Sequence, residues 1–130
     1  MGGFMRNWLA LVLVLATAGA CGRPRGDAAA AAAVATQAAK TGTAVTYVDV
    51  RSAEEWAQGH VVGAIHIPVE QMPDRWTELA ALKDKPVVLY CQSGGRAAAA
   101  LQVLQQHGFT AAVNGGGLAG LQAQGVAVSQ

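Results

Sequence analysis

The sequence predicts an α/β fold, a central parallel sheet of about four to five strands with helices on both faces. Two observations predict it. From Val45 onward, short apolar runs alternate with helical patterns, as expected of parallel strands joined by crossover helices. The apolar run Pro86-Val87-Val88-Leu89-Tyr90 then reads as a buried strand that ends in Cys91, passes through a glycine-permissive loop and feeds an alanine-rich helix beginning at Ala97.

The elements follow in chain order. Residues 1–20 read as an export signal: Arg6 precedes an uninterrupted run of apolar and small residues, Trp8 to Ala20, too short to span a bilayer comfortably. Ala18-Gly19-Ala20-Cys21 resembles a bacterial lipobox, in which Cys21 is lipidated and becomes the first mature residue. The alternative is an ordinary cleaved signal with Cys21 incidental. The lipidated reading places the protein on the bacterial cell envelope, anchored in a membrane and facing the periplasm or the cell exterior. Residues 21–42, with six consecutive alanines from Ala28 to Ala33, offer few large apolar side chains and are expected to be a tether. The alternative there is that Val34 to Lys40 docks as a first helix. The folded domain is expected over residues 43–130.

Strands are predicted at Val45 to Asp49, around Ala64 to Ile67, at Val87 to Tyr90 and at Ala111 to Val113. Ser52 with Glu55 three residues later makes a capping box for the helix after the first strand, and Gly59 stops it. A second helix is predicted from Pro73 to Leu82, with Trp76, Leu79 and Leu82 on one face, and a third from Ala97 to His107. Ligands of open parallel sheets bind beyond the carboxyl ends of the strands, where Asp49 to Arg51 and Cys91 both fall.

The loop Cys91-Gln92-Ser93-Gly94-Gly95-Arg96 carries the chemistry. Backbone amides turned inward and the helix N-terminus stabilise an anion at the sulfur, which favours a thiolate nucleophile. The loop is one residue shorter than the loops of cysteine phosphatases, which wrap a tetrahedral phosphate, and suits one extra sulfur atom. Arg96 either orients the loop or attracts an anionic donor. Arg51 is a candidate substrate contact, although a local salt bridge with Asp49 is the favoured reading. The histidines pair with no carboxylate at a catalytic spacing. No metal site is expected, and Asn114-Gly115-Gly116-Gly117 lacks the lysine of a phosphate-binding loop and reads as a turn beside the active loop. A net charge of +1 gives no reason to expect a nucleic-acid partner. With 130 residues the chain suits one domain, expected to be a monomer.

With these motifs the chain resembles the rhodanese family of sulfurtransferases. Val48-Asp49-Val50-Arg51, Glu55-Trp56, Gly59-His60, Gly63-Ala64 and Pro68 are similar to its N-terminal signature, and Gly108-Phe109, Val113 and Gly116-Gly117 to its C-terminal one. Three positions depart from the pattern: His66 stands where asparagine is frequent, Ala97 where a hydroxyl residue follows the arginine, and Leu121 where tryptophan is frequent. The resemblance implies a rhodanese-like fold without metal or organic cofactor. It also implies that Cys91 takes sulfur from thiosulfate or a similar donor, becomes a persulfide cradled by Gln92, Ser93, Gly94, Gly95 and Arg96, and passes the sulfur to cyanide or a thiol, including a protein thiol. A sulfur carrier or redox-interaction module without turnover is the alternative.

Overall fold

The computed structural model describes residues 28–130. Its elements are helix α1 (Ala28–Thr41), strand β1 (Thr46–Asp49), helix α2 (Ala53–Ala57), strands β2 (His60–Val61) and β3 (Ile65–His66), helix α3 (Met72–Arg75), strand β4 (Val87–Cys91), helix α4 (Gly95–Gln106), strand β5 (Ala112–Gly117), helix α5 (Leu118–Ala123) and strand β6 (Val128–Ser129). The main sheet has the order β3-β1-β4-β5 with every pair parallel, and β2 and β6 form a separate antiparallel pair. The expected signal and Cys21 lie outside the described residues.

Strand β4 is buried at all five positions, so its side chains divide between two apolar layers. Val87, Leu89 and Cys91 face one cluster with Met72, Leu79, Ala97, Ala100, Leu104 and Phe109. Val88 and Tyr90 face the other with Ala31, Val61 and Leu121. Helices therefore cover both faces of the sheet: α3 and α4 on the first, α1 and α5 on the second.

From residue 28 the alanine-rich segment is a docked helix and not a tether, which is the alternative stated for Val34 to Lys40, with the helix starting earlier. Residues 28–41 are helical, Ala31 and Ala38 are buried, and Ala31 with Val34 joins the second apolar layer. Small side chains let this helix lie close to the sheet. A Cβ built on Gly115 of β5 would stand 3.5 Å from the Ala31 Cβ and 2.5 Å from Val88 Cγ1, so alanine and glycine at the contact replace bulk with close approach. The folded unit thus includes α1 and extends N-terminal to residue 43.

The predicted helix from Pro73 to Leu82 is instead a chain of 3₁₀ turn, short α-helix and 3₁₀ turn, running Val69–Gln71, Met72–Arg75 and Trp76–Leu82. Trp76, Leu79 and Leu82 recur every three residues, which aligns them on a helix of three residues per turn. The capping box on α2 is present, with the Ser52 hydroxyl accepting the Glu55 amide and the Glu55 carboxylate facing the Ser52 amide.

Candidate active site

Strand β4 ends at Cys91, and α4 begins four residues later at Gly95. Gly94 makes the turn at φ +96, a left-handed conformation that suits glycine, and its amide donates to Cys91 Sγ at 2.8 Å. The sulfur therefore lies at the N-terminus of a twelve-residue helix with a backbone donor already on it. Cys91 is buried, Gln92, Ser93 and Gly95 are exposed, and Gly94 is buried. Ala97, at the position of the missing hydroxyl, packs in the same apolar cluster as Cys91.

The rim is held from three sides. On the first, β5 carries an irregularity: Leu89 pairs with Asn114 and Cys91 with Gly117, so three steps on β5 match two on β4. Gly116 adopts φ +79 in this bulge, and its amide donates to Asn114 Oδ1 at 2.9 Å. Asn114 Nδ2 in turn donates to the Gly94 carbonyl at 2.9 Å, the same carbonyl that accepts the Ala98 amide of α4. A side chain on Gly117 would fall on the Gln92 carbonyl. The glycine cluster thus packs beside the loop, as expected, but as the last part of a strand and not as a turn.

On the second side, Arg96 reaches α2. Its Nη1 donates to Glu55 Oε1 at 2.7 Å and its Nη2 to Glu55 Oε2 at 3.0 Å, a bidentate pair. This guanidinium holds the Glu55 carboxyl far below the usual range, at about 2, and the capping bonds from Ser52 add to the effect. Arg96 is raised in return, first by Glu55 and then by the neighbouring Cys91 sulfur. Sequence reasoning saw the capping role of Glu55 but not this one, because nothing local links it to a residue 41 positions away.

On the third side, Arg51 braces the end of β1. Its Nε and Nη2 grip the Asp49 carboxylate at 2.6–3.0 Å, and Nη2 also donates to the Gly59 carbonyl at 2.6 Å. Both residues are buried. The guanidinium lies 5.7 Å from the centre of the Tyr90 ring, whose hydroxyl accepts the Val61 amide and is pushed well above its ordinary pKa by burial. These bonds occupy the candidate substrate contact in a brace between β1, α2 and β2. His66 continues it, its Nε2 lying 2.9 Å from the Arg51 carbonyl, and Trp56 stacks on both His60, at 3.4 Å, and His66, at 4.7 Å. Among the described residues no group of three His, Cys, Asp or Glu side chains could hold a metal ion.

The description of the rhodanese-like domain matches residues 30–124. The chain is 36% identical over 72 residues to the thiosulfate sulfurtransferase PspE of Escherichia coli, covering 55% of this chain and 69% of that protein. It is 42% identical over 67 residues to the uncharacterized protein YqhL of Bacillus subtilis, covering 52% of each chain, so it spans about half the length of that relative. Among solved structures, a rhodanese with anions from E. coli superimposes with a TM-score of 0.61 at 31% identity, covering 67% of this chain and 99% of the other. With most of α1, the whole main sheet, the cysteine loop and α5 inside the matched region, the chain belongs to the rhodanese-like domain family.

Proposed function

We propose that this protein is a sulfurtransferase that carries sulfane sulfur on Cys91. The supporting observation is the Gly94 amide on Cys91 Sγ at the head of α4, an arrangement that stabilises negative charge on sulfur both before and after it gains a second sulfur atom. In the first step the Cys91 thiolate attacks the outer sulfur of thiosulfate. A sulfur–sulfur bond forms to Cys91, the bond to the sulfonate sulfur breaks, and sulfite leaves with the electron pair. The anionic persulfide then rests against the amides of Gln92 to Arg96. In the second step cyanide or a thiolate attacks the terminal sulfur and regenerates the Cys91 thiolate, giving thiocyanate or a new persulfide. The sulfurtransferase name of the E. coli relative supports this chemistry.

A carrier role without turnover of small donors is the second reading. It is favoured by the complete burial of Cys91 and by a 31% identical relative, the putative sulfur carrier protein YrkF of B. subtilis. Steady turnover of thiosulfate and cyanide, lost in Cys91→Ser, distinguishes the two. A persulfide on Cys91 without turnover means a carrier, and neither means that sulfur is not the cargo.

We further propose export to the cell envelope and a lipid anchor on Cys21, on the strength of the apolar run and small residues before it. Among the described residues no helix is long and apolar enough to cross a membrane. Lipid labelling that vanishes in Cys21→Ser supports the anchor; a label that persists refutes it.

A further inference from the structure

Both arginines at the carboxyl ends of the central strands are matched by carboxylates. Arg51 is held by Asp49 in a buried pair. Arg96, the one that belongs to the cysteine loop, is held in a two-pronged contact by Glu55, with 36% of the arginine and 30% of the glutamate side chain exposed. Glu55 is not needed there as a carboxylate to cap α2, because a glutamine at the third helical position completes a capping box equally well. Its charge therefore has its main partner in Arg96. A guanidinium paired in this way presents an incoming anion with much of its charge cancelled.

We propose that Glu55 determines donor specificity by charge, selecting singly charged sulfane donors over doubly charged ones such as thiosulfate. This deepens the sulfur-transfer reading and rests on it. The helix N-terminus and loop amides still stabilise one negative charge on the transferred sulfur, whereas for a second negative charge on the departing group the loop's arginine, Arg96, is already matched by Glu55. Glu55 touches neither the sulfur nor the donor; it acts through Arg96.

Two donors that differ in one charge test this: thiosulfate, and methanethiosulfonate, in which a methyl group replaces one anionic oxygen. Each gives the Cys91 persulfide, releasing sulfite and methanesulfinate respectively. The measurement is the rate at which each loads Cys91 of the full chain, followed by peptide mass, at low and high salt. Glu55→Gln should raise the ratio of thiosulfate to methanethiosulfonate rates about tenfold at low salt, as expected of one charge acting on an extra charge across a partly solvated gap. High salt should shrink that gain. Arg96→Gln, which leaves Glu55 unmatched, should move the ratio the opposite way, so a folding failure in one variant leaves the other decisive. If both donors load the wild type but neither variant moves the ratio, Glu55 is a structural cap and the proposal falls alone. If neither donor loads the wild type, the sulfur-transfer reading falls and takes this one with it.

Discussion

Asn114 ties the last strand of the sheet to the loop that carries the cysteine: its side-chain amide donates to the Gly94 carbonyl, and its side-chain carbonyl accepts the Gly116 amide, each at 2.9 Å. Gly94 is the residue whose own amide rests on Cys91 Sγ. One side chain thus fixes the peptide that follows the donor amide, and through it the residue that points that amide at sulfur, from a strand 20 positions downstream.

Replacing Asn114 by alanine removes both bonds and should cost about 1–3 kcal/mol, since the Gly94 and Gly116 groups lose a partner in a half-buried setting. The effect on sulfur loading should exceed the effect on stability, because the Gly94 amide is freed to turn away from Cys91. Asn114→Asp keeps the acceptor for Gly116 and sets a carboxylate against the Gly94 carbonyl, so loading should fall further than in the alanine variant. Persulfide formation rates alongside thermal melts check this. Equal loading in all three proteins would mean that α4 alone positions Gly94.

Gly117 offers a steric test of the same contact. A methyl group there meets the Gln92 carbonyl, so Gly117→Ala must push β5 and the loop apart. Loading should drop by about tenfold or more, in the range seen when a preorganised donor is misplaced. Gly63→Ala is the control: that glycine has a positive φ, unlike Gly117 at φ −99, and open space surrounds it. It should cost stability through backbone strain alone and leave loading per folded molecule unchanged. Comparable losses of loading in both variants would refute the contact.

The parts legible from sequence were those with a local signature. The buried strand before Cys91, the Ser52–Glu55 cap and the glycine turn into α4 each rest on residues within one short segment. What was missed needed either close approach or long range. The alanine segment read as a tether because it lacks bulk, with docking of Val34 to Lys40 as the alternative, yet Ala31 docks by that very lack, against Gly115. The bulge in β5 that aims Asn114 depends on pairing with β4, and the Glu55–Arg96 pair joins two elements with no shared pattern. Strands β2 and β6, two residues each, are too short to carry a periodicity.

The buried Asp49–Arg51 pair should be a major determinant of stability. Asp49→Asn keeps the shape but leaves the Arg51 charge buried without its counter-ion, and breaking such a pair costs about 3–5 kcal/mol. Urea unfolding should show a lower midpoint with an unchanged slope. A loss below about 1 kcal/mol would mean that the Gly59 carbonyl and the Tyr90 ring hold Arg51 without Asp49.

The Glu55–Arg96 pair predicts how the clamp between α2 and the loop responds to acid. Folding lowers the Glu55 carboxyl from an ordinary 4.5 to about 2, with the Arg96 hydrogen bond as the first cause. A carboxyl depressed on folding contributes stability that is complete above its unfolded value and is lost as pH falls through its folded value. The contribution is therefore full at neutral pH, begins to decline near pH 4.5 and is gone below about 2. Solvent reaches both side chains, which reduces the pair to about 1 kcal/mol or less. Other carboxyls titrate in the same window, Glu78 beside Arg75 among them, so the measurement is a difference. Thermal melts of the wild type and Glu55→Gln, which keeps the cap, should be separated at pH 7 and should converge as the pH approaches 2. A separation that stays constant down to that pH would show that the glutamate's charge contributes nothing to the fold, and that the contact with Arg96 is held by hydrogen bonding alone.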